Sequence, residues 1–161
     1  MFIRAAAASC LVALAVPAFA ACPTPEDVAR FLEDAAAARP AAPLVDEGAR
    51  SDAVCARDLV IEQLIPVHGP IVGWKAGLTS PQAQAAFGTT EPVLGALLED
   101  MLLENGAVVD ASARVRPLFE ADLVVEIADE GVMDAGTHEE VLAHIRGVRP
   151  FLELPALLIS P

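Results

Sequence analysis

The sequence predicts an α+β chain in which helices come first and short strands follow. Three observations carry that prediction. Residues 25–38 and 51–64 space their apolar side chains at helical intervals. From Ile71 onward the pattern gives way to short apolar runs bounded by glycine and proline. Between residues 118 and 127 every odd position is apolar, while Glu120, Asp122 and Glu126 stand at even positions, a period of two.

The elements follow in chain order. Arg4, the apolar run from Ala5 to Val16 and the small–x–small pattern Ala18-Phe19-Ala20 predict a signal peptide over 1–20, with mature protein starting at Ala21. That run is too short for a bilayer core of about 30 Å, and Pro17 interrupts it. Acylation of Cys22 is the rival reading, and Phe19 disfavours it at its recognition position. Beyond the leader no segment approaches about 18 unbroken apolar residues, so no membrane span is expected in the mature chain. The expected location is therefore exported and periplasmic.

A helical region is expected over 21–70. Pro25 suits a first turn, Glu26 and Asp27 favour a helix N-terminus, and Val28, Phe31, Leu32 and Ala35 form one stripe to residue 38. Residues 40–43 read as a linker. A second helix is expected over 51–64, capped by Ser51, with Val54, Asp58, Ile61 and Ile65 inward and with Pro66 and Gly69-Pro70 closing it. A β-rich domain is expected over 71–161. It comprises a glycine-bearing strand at 71–79, a short helix at 79–87, a loop at 88–92 and an apolar element at 93–98. The turn Asn105-Gly106 leads into a strand at 107–109, and the alternating strand 118–127 comes next. Thr137 and Glu140 form a capping-box pattern that opens a helix to about Arg146. Residues 150–154 read as a last strand, and the apolar stretch 156–159 as a strand without partners.

Composition excludes some functions. A net charge of −13 and the absence of tyrosine argue against a nucleic-acid partner. The 161 residues suffice for one domain. An acidic balance, with a pI near 4.4, suits an extracytoplasmic protein and a site that collects cations. Cys10 would leave with the leader, so Cys22 and Cys55 remain as a disulfide candidate, or Cys55 stays a buried free thiol.

Glu120 and Asp122, two apart on one strand face, are close enough to hold a hard cation, although an acidic pair alone also fits a solvated face. Glu153 sharpens the question. It lies in Phe151-Leu152-Glu153-Leu154, where a carboxylate is costly to bury unless paired or metal-bound. Lys75, in an apolar strand between Gly73 and Gly77, raises the same question with opposite sign, and a structural salt bridge is its simplest answer. His68, His138 and His144 lack zinc-ligand spacing, and the latter two are expected on an exposed helix. Ser80, Ser112 and Ser160 lack a nucleophile-elbow context.

Several segments together carry a resemblance. They are Gly73-Trp74-Lys75-Ala76-Gly77-Leu78-Thr79-Ser80, Glu91-Pro92-Val93-Leu94-Gly95, Leu98-Glu99-Asp100-Met101, Glu104-Asn105-Gly106-Ala107, Arg116 to Asp122, and Pro150 to Leu154. In this order and spacing, over about residues 45–154, the chain resembles the 2-oxopent-4-enoate hydratases (2-keto-4-pentenoate hydratases) of the fumarylacetoacetate hydrolase superfamily. The resemblance implies a mixed β-roll of that type, of which this chain holds the first part and is truncated. It implies Glu120, Asp122 and Glu153 as ligands of Mg²⁺ or Mn²⁺, Lys75 as an active-site lysine, and Asp100 with Glu99 as an acidic pair at the site. The family motif usually reads Glu-x-Glu, so Asp122 shortens one ligand by a methylene. After Glu153 the chain reads Pro155-Ala156-Leu157 where the hydratases continue with an Asp-Ser-Arg-like stretch.

The implied activity is a metal-dependent lyase that adds water to a small 2-hydroxydienoate or 2-oxo acid. A 2-oxo diacid decarboxylase on the same site is the nearest rival, and a non-catalytic exported binding protein is a third reading. Expected partners are a small 2-oxo acid and, as an open option, further copies of the chain.

Overall fold

The computed structural model describes residues 22–45 and 49–159. The signal-peptide reading of 1–20 lies outside the described residues. Among the described residues, four α-helices, four strands and three short 3₁₀ segments follow one another. Helix α1 is Pro25–Ala36 and α2 is Arg50–His68. Strand β1 (Ile71–Gly77) is joined through α3 (Pro81–Ala86) to β2 (Val93–Leu98). Strand β3 (Glu120–Ile127) is joined through α4 (His138–Ala143) to β4 (Ile145–Glu153).

Helix α1 starts where side chains can satisfy its free amides. Thr24 Oγ1 accepts the Asp27 N–H at 3.2 Å, and the Asp27 carboxylate accepts the Thr24 N–H at 3.1 Å. The Thr24 hydroxyl also donates to Asp27 Oδ2 at 2.7 Å, and that bond, followed by the one from the Thr24 N–H, holds the Asp27 carboxyl below the usual carboxylate range. Helix α2 differs from expectation at both ends and in register. It starts one residue earlier, at Arg50, because the Asp52 carboxylate takes the Ala49 N–H at 3.0 Å and so performs the capping expected of Ser51. It runs through Pro66 to His68, and Gly69, at φ 82°, takes the conformation that ends it. Its buried residues are Asp52 and Ala56, whereas Asp58 and Ile65 are exposed.

The helices pack together, and Gln63 Nε2 donates to the Pro25 carbonyl at 2.8 Å. Cys22 is joined to Cys55 in a disulfide with Cα atoms 5.6 Å apart, which settles the open choice at Cys55 in favour of the bond. Val28, Ala56 and Leu98 form the best-buried part of this end. Strand β2, which ends at the buried Leu98, packs against α2 and so ties the first hairpin to the helices.

The strands do not form a mixed roll among the described residues. They pair as two separate antiparallel sheets, β1 with β2 and β3 with β4. The turn at Asn105-Gly106 is present, but residues 107–109 are irregular rather than a strand, and α4 stops at Ala143, so that Arg146 belongs to β4. Residues 156–159, expected as an unpartnered strand, make two isolated bridges, Pro117 with Ala156 and Ala41 with Ile159. Arg116 fastens that segment by donating to the carbonyls of Leu157 and Ile159. No helix of the described residues is long and apolar enough to cross a membrane.

Candidate functional site

Register assembles the acidic face. In β3–β4, Glu120 stands directly opposite Glu153, Asp122 opposite Phe151, and Glu126 opposite Gly147. Opposed residues of an antiparallel pair share a face, so Glu120, Asp122 and Glu153 lie on the same side of the hairpin. The other side carries Leu123, Val125 and Ile127 against Pro150, Val148 and Ile145. The alternation legible in the sequence therefore marks two chemically distinct faces.

Lys75 comes to this face from the other hairpin. It stands opposite Gly95 in β1–β2, and Gly73 and Gly77 flank it on the same side of its strand. Its Nζ donates to Glu153 Oε1, forming an ion pair between residues 78 apart in sequence. The Glu153 side chain is 15% exposed and that of Lys75 is 38% exposed, so the pair is shielded more on the carboxylate side. This is the salt bridge that the apolar surroundings of both residues called for.

The carboxylates share a face but are not drawn together. Among the described residues, no three His, Cys, Asp or Glu side chains are gathered as a metal site. Asp122 Oδ1 accepts its neighbour's amide, Leu123 N–H, at 2.7 Å, and Glu153 is engaged by Lys75. The convergence expected from the sequence is thus corrected to a shared face. Like charges separate, and Asp122 and Glu153 each take a nearby donor. The donor set itself fits a hard divalent ion: three carboxylates on one face, with no thiolate or imidazole among them.

Glu99 and Asp100 lie elsewhere. They form an exposed 3₁₀ turn just beyond β2, where Glu99 N–H donates to the Pro70 carbonyl at 3.1 Å. Because Ile71 pairs with Leu98 and Lys75 with Gly95, this turn stands about 13 Å from Lys75 along the strand. The structure pairs Lys75 with Glu153, sets Glu120 opposite Glu153 in the ladder, and leaves the Glu99–Asp100 turn apart.

One polar constellation escaped the sequence reading. His144, expected on an exposed helix, is half-buried at the end of α4, and its Nδ1 lies 2.7 Å from Asp129 Oδ1. The same oxygen accepts the Gly131 N–H at 2.9 Å, and that bond, followed by the histidine, holds the Asp129 carboxyl below its usual range. A side chain at Gly131 would collide with the His144 ring. The Asp-x-Gly turn was the available signal, but nothing in the sequence names a partner 15 residues on.

No protein-family model matches the chain. It is 29% identical over 134 residues to 2-keto-4-pentenoate hydratase 2 of Dechloromonas aromatica, a match covering 81% of this chain and 51% of the relative. It is 31% identical over 119 residues to a 2-keto-4-pentenoate hydratase of Paraburkholderia xenovorans, covering 72% and 44% respectively. Among solved structures it is similar to 4-oxalocrotonate decarboxylase from Pseudomonas putida G7 complexed with magnesium and adipate. The TM-score there is 0.69 at 25% identity, over 84% of this chain and 53% of that one. The resemblance read from the motifs is borne out, and the chain spans about half the length of the curated relatives it matches.

Proposed function

We propose that the chain carries the cation-binding and lysine-bearing part of a divalent-metal-dependent lyase that hydrates small 2-hydroxydienoates or 2-oxo acids. The observation that supports this most is the meeting of Lys75 with Glu153 opposite Glu120, in a chain similar to 2-keto-4-pentenoate hydratases. Glu120, Asp122 and Glu153 would hold the cation, either Mg²⁺ or Mn²⁺. When bound, such an ion supplies Lewis-acid polarisation of the oxo and carboxylate oxygens of a 2-oxo acid. Lys75 places a fixed positive charge beside that face, suited to an anionic substrate. Asp100, with Glu99 beside it, is the acid–base pair that the resemblance implies, but its turn stands about 13 Å from Lys75 along the strand, so this proposal gives it no step at the Lys75–Glu153 face.

Decarboxylation of a 2-oxo diacid is the second reading, supported by the likeness to 4-oxalocrotonate decarboxylase. An exported location is also part of the proposal, motivated by the leader-like residues 1–20 and consistent with the Cys22–Cys55 bond.

The test joins binding and turnover. Mg²⁺ should raise the melting temperature of the protein, and Glu153→Ala should remove that rise. Loss of dienoate absorbance with Mg²⁺ present supports hydration. Turnover of the oxo diacid alone replaces it with decarboxylation. A cation-dependent melt with neither turnover moves the chain to the non-catalytic binding class, and a melt indifferent to cations overturns the metal reading.

A further inference from the structure

We infer that Lys75 and a divalent cation compete for the Glu153 carboxylate, so that cation binding releases the lysine to the open edge of the site. This rests on the metal reading above and adds an order of events to it.

Lys75 is the sole lysine of the sequence, and its Nζ is spent on Glu153 Oε1, an oxygen of the proposed ligand set. Glu153 is the least exposed partner of the pair and has Glu120 directly across the ladder, so a cation bridging these carboxylates would stand within a few ångströms of the ammonium. Charges of the same sign at that separation repel steeply. A carboxylate has lone pairs enough for two partners, but repulsion penalises the shared state. The lysine also has somewhere to go. Gly95, opposite it on β2, leaves open space where a side chain would stand. Arg149, which shares the acidic face, is already held by Glu126 and does not take the place of Lys75.

A released ammonium next to a filled carboxylate set is a receptor for an anion. Lys75 is then available to a substrate carboxylate after the cation has bound and withheld from it before. This makes Lys75 a positioning residue whose partner changes with loading.

Two measurements test the inference with MgCl₂ alone as the probe. In calorimetric titration, Glu120→Gln should weaken Mg²⁺ binding, which establishes the site, while Lys75→Met should tighten it roughly fivefold, as expected for removing a partly exposed competing charge. In the unaltered protein, the rate of Lys75 acetylation by acetic anhydride, followed on its own peptide, should rise with Mg²⁺. Binding by Lys75→Met that is equal to or weaker than the parent's, or acetylation that Mg²⁺ leaves unchanged or slows, overturns the competition and leaves the metal site standing. No Mg²⁺ binding by the parent overturns the metal reading and the competition with it. The acetylation arm keeps the test decisive if Lys75→Met fails to fold.

Discussion

In the helical end of the molecule, Val28, Ala56 and Leu98 are buried and a disulfide crosses from the start of α1 to α2. In hairpin β3–β4 the situation is reversed: Leu123 is 63% exposed and Leu152 67% exposed, and side-chain ion pairs occupy the opposite face. The first region keeps its shape through packing and a covalent link. The second depends on its ladder, on Arg116 and the bridges of residues 156–159, and on the Lys75–Glu153 pair that reaches it from β1. A lone two-stranded hairpin is marginal in water, so these attachments matter to its position. The candidate ligands Glu120, Asp122 and Glu153 sit on the less packed region. Polar pairs, rather than apolar packing, therefore decide where the candidate ligands stand.

The largest expected effect breaks the packed side of this comparison. Leu98 is 1% exposed, and Leu98→Ala should cost about 4 kcal/mol in urea unfolding, through lost burial and the cavity left against α2. Leu152→Ala on the exposed face should stay within about 0.5 kcal/mol. Similar costs at the two sites would mean that the hairpin's apolar face is covered in solution, and the contrast between the regions would fall. Next in size is the disulfide, which closes a span of 33 residues. Replacing both Cys22 and Cys55 by serine should cost about 3 kcal/mol, read as a melting shift of roughly 10 °C. A shift of a degree or less would show that packing of α1 on α2 suffices without the bond.

How far the sequence foretold this arrangement depends on the range of the forces involved. The alternation through Glu120, Asp122 and Glu126 was legible because strand period is local, and so was the Thr137–Glu140 capping box, in which Glu140 Oε2 accepts the Thr137 N–H at 2.9 Å. The register of α2 was not, since Asp52 could be recognised as a buried cap only from its tertiary surroundings. Pro66 is tolerated in the last turn of α2, so a proline expected to close the helix instead lies inside it. Strand pairing is a long-range choice, and short apolar runs do not name their partners. The mixed roll was implied by the resemblance alone, and among the described residues the strands pair as two antiparallel hairpins. At the site, residue types and the shared face were readable, and the Lys75–Glu153 bridge was one of the answers their apolar surroundings allowed. The engagement of Asp122 with its own neighbour and the distance of the Glu99–Asp100 turn depend on side-chain and loop geometry that spacing does not encode.

The smallest effect probes the charged face away from the proposed ligands. Glu126 lies on the same side of β3 as Glu120 and Asp122, but it accepts from Arg146 Nη1 at 3.0 Å and also from Arg149. These guanidinium bonds, Arg146 first, hold its carboxyl below the usual glutamate range. A carboxyl with a depressed folded-state pKa contributes stability that is fully present above its unfolded value, about 4.3, and is lost as pH falls through the lower folded value. The parent should therefore melt above Glu126→Gln at neutral pH, and the two curves should converge as pH falls from about 5 toward 3. The side chain is partly exposed and the charges lie near the surface, so the gap is small and should narrow further in high salt. A gap that persists unchanged at acid pH would mean that Glu126 acts through packing rather than charge. The acidic face would then be held in register by something other than the two arginines, and the same doubt would extend to the ion pair at Glu153.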